Sequence, residues 1–199
     1  MKSDMKVRYI PILGGALAAA VVVGGAWLAP HMPTQADLAP EETALLVEWT
    51  KVGDALSVQR MLEKGACVEA VSSDGTSALM LACGSGAMDV VKVLLNHNAK
   101  VNAVNTQGDT PLHFAVRQNQ QEVVDLLLRN GASVDARNKE GVTPLMVAAW
   151  SGFDNLVQML LSAGADTELV DDEGCNAAFH ARSVHDPAAR EVILKLLGA

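Results

Sequence analysis

Apolar and polar positions along the chain fall into two regimes. From Tyr9 to Ala29 the sequence YIPILGGALAAAVVVGGAWLA runs 21 residues with no ionisable side chain except the tyrosine phenol. After residue 40, short apolar bursts alternate with polar turns at a constant interval. Gly75, Gly108, Gly141 and Gly174 stand 33 residues apart. At that period DGTSALMLACGSG (74–86), QGDTPLHFAVRQN (107–119) and EGVTPLMVAAWSG (140–152) fall under one another. Paired aliphatics follow each block: Val90-Val91 with Leu94-Leu95, Val123-Val124 with Leu127-Leu128, and Leu156-Val157 with Leu160-Leu161. This spacing places one apolar stripe on a helix. Each unit then closes at Asn98-Ala99, Gly131-Ala132 or Gly164-Ala165.

The local chemistry agrees with two short helices per unit. Thr110-Pro111 and Thr143-Pro144 offer an N-cap with Pro in the first turn. The small residues Ala82, Ala115 and Ala148 let helices approach, and Gly131, Gly164 and Asn98 suit a helix end with positive φ.

Thr110-Pro111-Leu112-His113 is a TPLH motif, and Thr143-Pro144-Leu145-Met146 matches it except at the His. On these blocks the chain resembles the ankyrin-repeat family over residues 41–199. The resemblance implies an all-α repeat solenoid of helix–turn–helix units, each with a β-hairpin, and no catalysis. Five repeats are expected, at about 41–70, 71–103, 104–136, 137–169 and 170–199. The first lacks the hairpin block and carries Trp49 where later units have Ala. In the last, Val192-Ile193 and Leu196-Leu197 return late, which predicts a three-residue insertion in 184–189.

The apolar run is expected to form a single N-terminal transmembrane or signal helix. As a helix it is roughly 31 Å long, the thickness of a hydrocarbon core. Lys2, Lys6 and Arg8 precede it in a basic segment (1–8), and the next charge is Asp37. That asymmetry predicts a cytoplasmic N-terminus and a translocated domain, beyond a Pro-rich linker at 30–40. The resemblance to small exported ankyrin-repeat proteins of bacteria then implies a bacterial inner membrane, with residues 9–29 in the lipid bilayer and the repeats in the periplasm. The competing reading is a cleaved signal peptide, since Gly24-Gly25-Ala26 and Thr34-Gln35-Ala36 both offer small residues for processing.

Composition narrows the rest. Aromatics make up 4% of the chain, too few for a large β-sandwich or barrel. Residues 37–199 hold 12 Lys and Arg against 22 Asp and Glu, a balance of −10. That field opposes a nucleic-acid partner and favours a protein with a basic surface.

No nucleophile–base pairing or phosphate loop is visible, and no catalytic residue or cofactor is expected. Cys175, His180 and His185, beside Asp186, form a weak candidate metal set whose spacing matches no compact ligand motif. Of three cysteines, Cys83 reads as a core residue, while Cys67 and Cys175 lie about three repeats apart, too far for a disulfide.

In the ankyrin family, partners usually dock on the concave face made by hairpin tips and first helices. Carried over by register, the tip candidates are Asp74, Gln107, Lys139, Glu140, Asp172 and Glu173. Thr76, Asp109 and Val142 follow the glycines. Arg117, Gln118, Trp150 and Ser151 stand on first helices. Trp150 aligns with Gly84 and Arg117, so it is expected to be exposed as an anchor, unless it folds back over the helix ridge. The resulting function is a membrane-anchored protein-binding scaffold. Resemblance to small exported bacterial ankyrin proteins suggests a link to oxidative-stress defence. Two alternatives stand: an immunity or inhibitor protein against a toxin or enzyme, and a metal- or haem-handling maturation factor.

Overall fold

A computed structural model describes residues 40–199. The expected basic segment, apolar span and linker lie outside the described residues apart from Pro40, which opens the first helix. No described helix is long and apolar enough to cross a membrane.

Among the described residues, ten helices form five antiparallel pairs: α1 (Pro40–Val52) with α2 (Ala55–Glu63), α3 (Ala78–Ser85) with α4 (Met88–Asn96), α5 (Pro111–Arg117) with α6 (Gln121–Arg129), α7 (Pro144–Ser151) with α8 (Asp154–Ser162), and α9 (Ala177–Ala181) with α10 (Pro187–Leu196). The first helices stack closely on one another, whereas the second helices touch more sparsely. The cause lies in the side chains. Ala82, Ala115, Ala148 and Ala181 are fully buried between first helices, while the outer row is spaced by Val90, Leu94, Val124, Leu127, Leu156 and Leu160, all with no exposure. Small residues inside and large ones outside bend the stack toward the first-helix side.

The ends of the helices follow from local chemistry. Ser77 and Thr143 hydroxyls accept the backbone N–H groups of Met80 and Met146 at 3.2 and 3.4 Å. In return the Ser77 and Thr143 N–H groups donate to the Met80 and Met146 sulfurs at 3.3 and 3.4 Å. Asn98 follows the C-cap of α4 at φ 63°, the position that Gly131 and Gly164 occupy at φ 83° and 90°. Asn tolerates this left-handed backbone better than most side chains.

Two expectations change. The hairpins reduce to tight turns: the described residues hold no extended strand, only isolated bridges Val71–Ser77 and Val170–Asn176. A side chain supplies what a ladder would. Oδ1 of Asn105 accepts from the N–H groups of Gln107 and Asp109 (both 2.9 Å), and Asn138 and Asp171 repeat the arrangement. The three-residue insertion is also absent. Pro187 starts α10 exactly one 33-residue period after Asp154 starts α8, and Ile193 is fully buried in the register of Leu160. Ala189 and Arg190 replace the aliphatic pair at that point, which made the pattern look late. What shortens is α9, after which Val184 turns in to 7% exposure.

Successive units are also tied by hydrogen bonds in register. Side-chain oxygens of Glu69, Asn102 and Asp135 accept the backbone N–H groups of Lys100, Ser133 and Asp166 at 2.9, 2.9 and 3.0 Å. No extended ladder is then needed to fix the stacking.

Candidate functional site

The first helices and the turns between units form one face of the array. The turn tips are strung together along it. The Thr106 hydroxyl donates to the Asp74 carbonyl at 2.8 Å, Lys139 N–H to the Gln107 carbonyl at 2.9 Å, and Asp172 N–H to the Glu140 carbonyl at 3.0 Å. Asp74, Gln107, Lys139, Glu140, Asp172 and Glu173 are exposed there, as are Arg117, Gln118 and Ser151 on the helices.

Trp150 is the largest apolar group on this face, 66% exposed in the last turn of α7. It does not fold back over the helix ridge. Gly152 in the left-handed conformation ends α7 just beyond it.

Two expected contact residues are not available to a partner, and a third is only partly so. Thr76 and Asp109 are 3% and 5% exposed, and Val142 is half-buried. They follow the turn glycines, where the chain re-enters the core, so their side chains serve the framework. Thr76 donates its hydroxyl to Asp74 at 2.8 Å. The Ser72 hydroxyl first, and that of Thr76 after it, pull the Asp74 carboxyl down to about 2. Asp109 accepts from Arg117 Nη2 and from Asn138 Nδ2, both at 3.0 Å. Arg117 also lies over the Phe114 ring, 5.8 Å from its centroid.

The last unit repeats that design with different residues. Asp171 Oδ2 lies 2.7 Å from His180 Nε2. Burial works to raise the Asp171 carboxyl, but N–H groups from Cys175 and Glu173 together with His180 outweigh it and bring it below the ordinary value. The Cys175 thiol is pushed up by burial and by the Asp171 and Glu173 charges, opposite to what a nucleophile needs. Cys67, Cys83 and Cys175 are free.

The weak metal set does not assemble. Among the described residues no three His, Cys, Asp or Glu side chains could hold a metal ion, and His180 is engaged by Asp171 rather than by Cys175 and His185. His113, in the TPLH block, is fully buried. Its Nδ1 accepts the Thr110 N–H at 3.2 Å, which leaves Nε2 to donate to the Val142 carbonyl at 3.1 Å. Burial holds its pKa below 6.5.

Sequence reasoning missed the Asn138 and Asp171 contacts, although their signal is visible: Asn105, Asn138 and Asp171 recur at the 33-residue period.

The sequence profile described as ankyrin repeats, three copies, matches residues 46–138, 107–171 and 124–197. A curated relative, the inactive serine/threonine-protein kinase TEX14 of Mus musculus, is 39% identical over 54 residues. That stretch is 27% of this chain and 4% of the relative, so the chain spans a small part of that protein.

Proposed function

This chain belongs to the ankyrin-repeat family, whose arrays serve as protein–protein interaction scaffolds, and we propose that it binds its partner through the face centred on Trp150. The observation that carries this reading is a tryptophan left 66% exposed. Arg117 and Gln118, in the neighbouring unit, are exposed on the same face. A large rigid aromatic beside an arginine is the composition of a binding hot spot. The partner presents a basic surface, because residues 37–199 carry a balance of −10 and the tips add Asp74, Glu140, Asp172 and Glu173.

The scaffold works at a membrane. Residues 9–29 anchor it in a bacterial inner membrane and the array faces the periplasm. The length of that apolar run and the three cations before it support the anchor and its orientation, and resemblance to small exported bacterial ankyrin proteins supports the compartment. The partner belongs to a defence against oxidative stress, a reading supported by family resemblance alone. Affinity capture from detergent-solubilised membranes, wild type beside Trp150→Ala, tests the binding face. A protein retained by wild type and lost by the variant is the expected result. Retention by both would remove Trp150 from the interface, and an intact mass lacking the first 26 or 36 residues would replace the anchor with a signal peptide.

A further inference from the structure

The first unit carries apolar side chains where the interior ones carry polar groups. Val52 and Leu56 flank the turn between α1 and α2, and they are 72% and 56% exposed. The counterparts of Val52 at the 33-residue period are Ser85, Gln118 and Ser151, and those of Leu56 are Asp89, Glu122 and Asn155. All of these are exposed and polar. The two positions thus stay in solvent even where a unit has neighbours on both sides. Their change to Val and Leu is no consequence of standing at the end of the array.

On α1, Leu45, Trp49 and Val52 follow one another at i, i+4 and i+7, which sets them in one stripe along the helix. Leu45 and Trp49 are 49% and 39% exposed, while Leu46, Val47 and Thr50 turn away from the stripe and are buried. Leu45 and Trp49 line a groove with Met61 of α2, edged by Lys64. A terminal repeat needs a polar outer face to remain in water. This one has the reverse.

A surface of matching chemistry lies within reach. The 21-residue apolar run ends at Ala29 and α1 opens at Pro40, so ten residues separate them. Fully extended, these span at most about 35 Å. Such a tether keeps the first unit, of all five, beside whatever holds residues 9–29. It also sets an effective concentration on the order of millimolar, so a small apolar contact is enough.

We propose that Leu45, Trp49 and Val52, with Leu56, form a lipid-docking face that lays α1 along the headgroup boundary of the bilayer. The proposal rests on the anchoring of residues 9–29 proposed above. The aliphatic side chains enter the acyl boundary, the Trp49 indole keeps its N–H at the polar level, and Lys64 reaches toward phosphate. The drive is apolar. Residues 41–70 hold three Lys and Arg against six Asp and Glu, a balance of −3, so anionic lipid does not strengthen the contact. Docked this way, the first unit rests on the membrane and the Trp150 face, in the fourth, stays open to a protein.

The test places the full chain in phosphatidylcholine vesicles whose acyl chains are brominated near the headgroup, where bromine quenches an indole in contact with it. One sample keeps Trp49 alone (Trp27→Phe, Trp150→Phe), and a second keeps Trp27 alone (Trp49→Phe, Trp150→Phe). Quenching of both is expected. Val52→Ser with Leu56→Asp, which installs the residues of the second unit, should remove most of the Trp49 quenching and leave the melting temperature unchanged. Adding phosphatidylglycerol should not increase it. Trp27 quenched with Trp49 unquenched would overturn the proposal and leave the anchor standing. If neither is quenched, the anchor and the proposal fall together. A Trp49 unquenched by lipid yet shielded from aqueous iodide would give the face to a second copy or another protein segment and would equally overturn it.

Discussion

Arg117 Nη2 stands 3.0 Å from Asp109 Oδ2, so two residues that register alone would offer to a partner satisfy each other. Asp109 also accepts from Asn138, in the next unit, at 3.0 Å. The pair therefore links the turn tip of one repeat to its own first helix and to its neighbour. Asp109→Ala strands two donors and is expected to cost about 1–3 kcal/mol in chemical denaturation. Arg117 is 44% exposed in its side chain. Arg117→Ala should cost less than about 1 kcal/mol.

His113 makes stability depend on pH. In the folded chain its Nδ1 is an acceptor for the Thr110 N–H, and burial holds its pKa below 6.5, with the Asp109 and Arg117 charges acting in opposite directions. The unfolded chain binds a proton near pH 6.5, so between the two values it holds more protons than the native state. This contribution is full above pH 6.5 and is lost as pH falls toward the folded pKa. Met takes the same place in two other repeats, accepting the cap N–H with sulfur. His113→Met is expected to flatten that part of the stability–pH curve measured by urea denaturation. A slope equal to wild type would assign it to other groups.

Repeat position sets the cost of a cavity. Leu127 is fully buried in the central repeat, whereas Leu196 in the last is half-buried. Leu127→Ala should cost about 2–5 kcal/mol. Leu196→Ala should cost clearly less, because a terminal unit has one neighbour. Denaturant midpoints compare them directly.

Trp150 separates stability from binding. At 66% exposure its removal should move stability by about 0.5 kcal/mol or less, while partner retention falls. A large drop in melting temperature would make it a structural residue.

Much of the architecture was legible because the 33-residue period is carried by residues with specific local duties. Thr143 caps α7, Gly131 ends the turn after α6 at positive φ, and Ala115 sets the approach of the first helices. The exposure of Trp150 could be read from its aligned neighbours Gly84 and Arg117, both polar or without a side chain. The fate of Asp109 and Thr76 could not. Register places a residue after the turn glycine but leaves open whether its side chain faces solvent or the next unit's Asn138. The last repeat misled for a related reason. Ala189 and Arg190 erased the aliphatic pair while the backbone of α10 kept the period, so the period in composition and in structure diverged.

The most direct test of partner binding is amide hydrogen exchange on the full chain with and without the protein it captures. Binding on the Trp150 face predicts new protection in α5, α7 and the turn tips at residues 107, 139 and 140, absent with Trp150→Ala. Protection confined to the outer helices α4, α6 and α8, unaffected by that substitution, would contradict the account.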